Sequence, residues 1–258
     1  FLLLINRRKT FKIKAKNGSF KFLFKPYKGS GYGGRGQFLY RENYDRFFNV
    51  NLTKFNRKFN TFIDIGASRG FFSSYMSKVF KSKIIAVDLY EYAIKDCEEN
   101  LTINKNYDFL CKVAAVGSNL DEGKYINLDR SEVPSRTSVL NLKVTNSHSN
   151  DALVLMTSID KLVNEYNSSS IDLIKIDVEG YEYNVLKGGL NTIQKYRPII
   201  YLEFKKFKLE ILNLAKSYNY LTYIPSSDGN LIQTNQFLIN NNDYENIFLV
   251  PQENSINF

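Results

Sequence analysis

Tryptophan is absent from the chain, histidine occurs once and cysteine twice. His148, Cys97 and Cys111 are too few to complete a four-ligand structural zinc site, and no metal site is expected. Triad or Cys–His catalysis would have to use His148, which lies in the polar stretch 145–151 with no nucleophile motif beside it. Two isolated cysteines suit a reducing compartment, so a cytoplasmic setting is expected. Long apolar runs are missing as well. Residues 1–5 and 152–156 fall far short of the roughly 20 residues that a spanning helix needs, so no transmembrane segment is expected. Glycine and proline number only 14 and 5, beside 43% hydrophobic and 24% charged residues, which excludes collagen-like and disordered chains. The 258 residues suit one large domain or two small ones.

Acid is missing from residues 1–28, which hold nine bases from Arg7 to Lys28. The remaining bases balance the chain's 26 acids, so the formal charge of +9 is wholly local. Within this segment Phe11-Lys-Ile-Lys-Ala-Lys16 and Ser19-Phe-Lys-Phe-Leu-Phe-Lys25 alternate apolar and basic residues around Asn17-Gly18. Asn-Gly between alternating runs predicts a β-hairpin with a type I′ turn. The predicted pairing sets Ala15 opposite Phe20, Ile13 opposite Phe22 and Phe11 opposite Phe24. Lys12, Lys14, Lys16, Lys21 and Lys25 share the other face. That face reads as an anion-facing surface or as lysines that blunt an exposed edge. Residues 29–36 are glycine-rich and read as a linker. The chain therefore divides into a basic hairpin with linker, 1–37, and a main domain, 38–258.

From residue 61 onward, short apolar runs alternate with helical stretches, the pattern of a parallel sheet covered on both faces. Strands are predicted at 61–65, 83–88, 109–116, 171–177, 198–204, 221–224 and 247–250, with helices over 70–80, 91–104 and 205–217. Residues 124–128 and 153–156 are candidates for extra strands on the same sheet.

Ligands of such sheets bind beyond the carboxyl ends of the strands. The first strand ends in Asp64-Ile-Gly66-Ala-Ser-Arg-Gly70, where Gly66 permits a tight turn and Gly70 lets the helix start pack closely. The dinucleotide fingerprint G-x-G-x-x-G is absent, since positions 66, 68 and 71 are Gly, Ser and Phe. A D-x-G-x-x-x-G turn fits a ligand with a cationic amino-acid tail, such as S-adenosylmethionine. Asp88 follows Asp64 by 24 residues, at the end of the second strand, and is placed to accept ribose hydroxyls. The fourth strand sets Lys175 and Asp177 on one side of an apolar run. A lysine there must be paired, and Asp177, Glu179 and Glu203 are the expected partners. The alternative is a structural ion pair that only organises the core.

These segments, together with Ala114-Ala-Val-Gly117, Met156-Thr-Ser-Ile-Asp160, Val185-Leu-Lys-Gly188 and Arg197-Pro-Ile-Ile-Tyr-Leu-Glu203, resemble the FkbM-type family of S-adenosylmethionine-dependent methyltransferases. The resemblance spans about residues 38–250, and Lys175-Ile-Asp-Val-Glu-Gly180 is its most specific part. It implies an α/β, Rossmann-like class I methyltransferase fold: a mostly parallel seven-stranded sheet with a reversed last strand. It also implies methyl transfer to an oxygen, commonly a hydroxyl on a sugar or natural product. By position, Asp64, Gly66, Ala67, Ser68, Gly70 and Phe71 would line the methionine end, Asp88 and Leu89 the ribose, and Ala115 the adenine. Asp177 would stand near the transferable methyl. Asp177 or Glu203 is the expected base, with Lys175 and Glu179 beside it. The same two acids could also hold a hard divalent ion, a reading that ranks lower because no third oxygen ligand is evident. The expected partner is a small-molecule or glycan acceptor, with anionic acceptors included. A ribose 2′-hydroxyl methyltransferase acting on RNA and a non-catalytic module binding an anionic glycan or partner stay open as alternatives. No N-P-P-Y type segment for amino-group methylation follows the fourth strand.

Overall fold

A computed structural model describes residues 9–24, 47, 50–55, 57–128, 144–145, 153–226, 228–234 and 246–254. The glycine-rich stretch 29–36 and His148 lie outside the described residues.

Strands β1 (Lys9–Ala15) and β2 (Gly18–Phe24) form the predicted antiparallel hairpin. Its register differs from the expected one: Ile13 pairs with Phe20 and Phe11 with Phe22. The turn falls on Lys16-Asn17, and the unusual backbone angle falls on Gly18, at φ 154°. A two-residue shift leaves every side chain on its own face, because the strand period is two. Ile13, Phe20 and Phe22 are accordingly buried, while Lys12, Lys14, Lys16 and Lys21 are exposed.

The body contains β3 (Thr61–Ile65), β4 (Lys83–Asp88), β5 (Phe109–Val113), β6 (Ala115–Val116), β7 (Tyr125–Asn127), β8 (Val144–Thr145) and β9 (Leu153–Thr157). Then follow β10 (Leu173–Ile176), β11 (Ile199–Glu203), β12 (Tyr220–Pro225), β13 (Leu231–Thr234) and β14 (Asn246–Pro251). The α-helices are α1 (Phe71–Tyr75), which a π-helical segment, Met76–Phe80, continues, α2 (Glu91–Ile103), α3 (Ile159–Tyr166), α4 (Glu182–Lys187), α5 (Leu190–Tyr196) and α6 (Lys208–Ser217).

Eight strands make the main sheet, in the order β13-β12-β14-β11-β10-β3-β4-β5. From β11 through β10, β3 and β4 to β5 the neighbours are parallel. β14 is inserted antiparallel between β11 and β12, as the resemblance implies, and β13 adds a further antiparallel edge. The sheet is thus mixed and eight-stranded, which corrects the expected mostly parallel seven-stranded one. β13 was invisible in the pattern because this edge strand buries only one of its four residues and lacks a continuous apolar run.

A second correction concerns residues 124–128 and 153–156, which do not extend the main sheet. The predicted strand 109–116 breaks at Ala114, whose N–H still bonds Asp88 O at 3.0 Å. Beyond it, β6, β9, β7 and β8 form a separate four-stranded sheet. Helix α6 also starts later than expected, after Phe207 at φ 52°.

Each face of the main sheet carries its own core. One packs Phe62, Leu173, Tyr201 and Phe248 against α1, α2 and the hairpin. The other packs Ile63, Ile65, Ile174, Ile176, Ile200 and Leu202 against α3 to α6. The hairpin rings reach into the first core: Phe20 and Phe22 each lie 5.1 Å from the Phe71 ring. Strand order reverses between β3 and β10, which opens a crevice beyond their carboxyl ends.

Candidate active site

The chain leaves β3 through a loop that stays close to its neighbours. The N–H groups of Gly66 and Ala67 both donate to Val87 O, at 2.9 and 3.0 Å. Gly66 has φ 75°, and a Cβ there would lie 1.9 Å from Asp177 O. Gly70 (φ 76°) opens α1, and its missing Cβ leaves room for Cys97 Sγ, which would otherwise sit 2.4 Å away. Only bare main chain fits at either position.

Asp88 ends β4 and accepts from two main-chain donors, Ser68 N–H at 2.8 Å and Tyr90 N–H at 3.1 Å. Burial nevertheless pushes its carboxyl above the ordinary range, against those hydrogen bonds. Ser68 itself is exposed, at φ 49°. Leu89 packs against a small apolar cluster that includes Ala115 and Met156. The residues expected at the ribose and the adenine are therefore neighbours. Phe71 differs: its ring is buried against the hairpin rings of Phe20 and Phe22. Ala67 is likewise buried in the core beside it.

Asp64 and Lys175 pair across β3 and β10, whose register sets them side by side. Asp64 is fully buried beneath the loop. Ser73 Oγ donates to its Oδ2 at 2.7 Å, and Lys175 Nζ stands 3.8 Å from its Oδ1. Burial raises the Asp64 carboxyl, and the lysine opposes that shift. Lys175 Nζ also donates to Asp177 Oδ2 at 3.1 Å and lies 4.7 Å from the Phe72 ring centre. The expected partnership with Asp177 is present. Glu203 pairs with Lys205 instead, Nζ to Oε1 2.5 Å, and Asp64 takes the second place at Lys175. The reason is register, which a single strand does not reveal.

Beyond the strand ends three acids converge. Asp177, Glu179 and Glu203 each bring a carboxylate oxygen to within 4.8 Å of the others. Glu179 supplies the third oxygen that the sequence pattern hid, through a turn at φ 53° followed by Gly180 at φ 101°. Glu182 holds that turn: its Oε1 accepts from Gly180 N–H at 2.9 Å and Val178 N–H at 3.2 Å. Three such oxygens have the chemistry of a hard-cation ligand set, which corrects the view that no third ligand exists. They also crowd negative charge. Glu203 is only 8% exposed, and its Oε2 is buried without a hydrogen-bond partner among the described residues. Burial, helped by the charge on Asp177, pushes its carboxyl up to about 7. A carboxylate tuned there can take a proton near neutral pH.

Ser73 and Glu182 had no assigned role from sequence. A hydroxyl one helical turn after the glycine loop, and an acid two residues after Gly180, are signals too short to read without the fold.

A family model described as the methyltransferase FkbM domain matches residues 64–246. No curated protein matches the chain. Among solved structures, the methyltransferase FkbM of Methylobacillus flagellatus KT is 15% identical with a TM-score of 0.47, over 74% of this chain and 43% of that one. The chain thus spans less than half the length of that relative. Streptococcus mutans SMU.1697c in complex with SAH is 13% identical, TM-score 0.42, over 77% and 92% of the two chains. Aeropyrum pernix fibrillarin with natively bound S-adenosyl-L-methionine is 11% identical, TM-score 0.41, over 75% and 67%.

Proposed function

Because the chain belongs to the FkbM methyltransferase domain family, we propose that it is an S-adenosylmethionine-dependent O-methyltransferase acting on a hydroxyl of a sugar, glycan or small natural product. The observation that carries the oxygen acceptor is Glu203, whose buried carboxyl is pushed up to about 7 within reach of Asp177 and Glu179. An alcohol must lose its proton as its new bond forms, and a carboxylate of that affinity suits the task.

The donor fits the residues at the strand ends. Without a Cβ, Gly66 keeps its backbone close to Asp177, and carboxylates line the crevice, which suits a cation. S-adenosylmethionine supplies an electrophilic methyl group on a positively charged sulfur. In this reading Gly66, Ala67, Ser68 and Gly70 hold the methionine end through main chain, Asp88 with Leu89 takes the ribose, and Ala115 flanks the adenine. Phe71 supports the loop from beneath. Asp64 acts from below as the counter-charge that keeps Lys175 in place. Lys175 in turn orients Asp177, and Glu203 receives the acceptor proton. Orientation of the reacting groups is worth roughly 7–11 kcal/mol in such a transfer.

Calorimetric titration with S-adenosylmethionine and an acceptor screen over sugars, phosphorylated saccharides and RNA test this reading. A chain that takes up no S-adenosylmethionine overturns it in favour of a non-catalytic module, and methylation confined to RNA ribose selects the other alternative. Glu203→Gln should lower turnover at least about a hundredfold while donor affinity stays within a few-fold. Full activity in that variant removes Glu203 as the base.

A further inference from the structure

The lysine face of the hairpin stands apart from the candidate active site and is explained by nothing in it. Lys12, Lys14, Lys16 and Lys21 are exposed, and none forms an ion pair among the described residues. Lys12 sits directly opposite Lys21. Lys21 and Leu23 send their N–H groups outward, to Asn104 Oδ1 at 2.9 Å and Asn100 Oδ1 at 2.6 Å, so neither donates to β1. The Lys12–Lys21 pair is therefore of the non-hydrogen-bonded kind, in which facing side chains come closest. Like charges at that spacing oppose hairpin formation.

Edge protection does not explain Lys21. The carbonyls of Lys21 and Leu23 also accept from Asn104 and Asn100, at 2.7 and 3.3 Å, so this edge of β2 is already covered. The ribbon is held rigidly besides. Asn17 Nδ2 donates to Val50 O at 2.9 Å and to the Tyr75 hydroxyl at 2.7 Å, while Phe20 and Phe22 are seated in the core. A repulsive array on a fixed platform calls for an anion to neutralise it.

We propose that this face docks on an anionic lipid bilayer surface, a role independent of the methyl-transfer reading. Two observations favour lipid over nucleic acid. Phe11, Phe20 and Phe22 occupy the opposite side of the ribbon, so the lysine face offers none of these rings for base stacking. Upstream in the sequence, Phe1-Leu-Leu-Leu-Ile5 precedes Arg7-Arg8, an apolar run joined to a basic cluster. Peripheral membrane binding commonly needs two such signals.

Co-sedimentation of the full chain with phosphatidylserine/phosphatidylcholine vesicles, against phosphatidylcholine alone, tests the proposal. Binding is expected to the anionic vesicles only, to weaken with added salt, and to fall at least about tenfold in a Lys12→Gln/Lys14→Gln/Lys16→Gln/Lys21→Gln variant. Lys21→Gln alone should weaken vesicle binding yet raise the melting temperature, because it relieves the facing pair. That opposite pair of signs separates a binding role from a structural one. Equal binding by the fourfold variant overturns the proposal, as does equal binding to neutral vesicles. Single-stranded RNA that binds more tightly than the vesicles at the same salt, and loses that binding in the same variant, overturns it in favour of nucleic acid.

Discussion

The two faces of the main sheet are built from the same strands yet carry different chemistry. One collects Ile63, Ile65, Ile174, Ile176, Ile200 and Leu202 beneath the helices α3 to α6, and its strand residues are aliphatic apart from Tyr220 in β12. The other collects Phe62, Tyr201 and Phe248 with Phe47, Phe72 and Tyr75 above them. Every alternate residue belongs to the second face, and so do Asp64, Lys175 and Glu203, which share the parity of Phe62, Leu173 and Tyr201. Branched aliphatic side chains interlock but offer no polar handle. Rings offer a negative face, and the Phe72 ring lies 4.7 Å from Lys175 Nζ, where it attracts the ammonium. The face that bears charge is thus the one paved with aromatics.

The largest effect expected from this contrast comes from removing the buried cation. Lys175→Met leaves Asp64 as an uncompensated carboxyl and should cost about 3–5 kcal/mol in urea unfolding. Adding Asp64→Leu should return most of it, because an apolar pair of similar bulk needs no counter-charge. Single and double variants of equal stability would break the contrast, since the charge would then impose no special demand on its face.

Next comes pH. Glu203 rises from its ordinary 4.5 to about 7 in the folded chain, so between those values the native state keeps a proton that the unfolded state has lost. Stability is therefore highest below the lower value and falls as pH rises toward 7, by about 3 kcal/mol in total. Glu203→Gln should flatten that part of the profile. A slope of the opposite sign would mean that Lys205 dominates.

The smallest effects compare the faces directly. Phe72→Leu should cost about 2 kcal/mol, combining lost ring contacts with the lost attraction for Lys175. Ile174→Val on the aliphatic face should cost about 0.5–1.5 kcal/mol. In the Lys175→Met background the Phe72→Leu penalty should shrink, whereas that of Ile174→Val should not. A double-mutant cycle measures the difference.

Much of this was legible in the residues alone. Continuous apolar runs marked β3, β4, β10, β11 and β14, since a strand covered on both faces must be apolar on both. Asp64, Gly66, Gly70 and Asp88 stood out because strand ends and glycine turns have composition signals of their own. β13 escaped, because an edge strand is half solvated and reads as polar. The hairpin was visible, but its register slipped by two, because its side-chain alternation is the same in either pairing.

The sequence by itself determined which residues were apolar, charged or free of a Cβ, and with them the alternation of strands and helices and the strand ends. Tertiary structure alone decided which charge meets which. Lys175 finds Asp64 only through the β3–β10 register, and Glu179 joins Asp177 and Glu203 only because Glu182 folds the turn back. Periodicity is a property of one segment. Pairing depends on the relative placement of segments far apart in the chain, and that is set by the packing of the whole core.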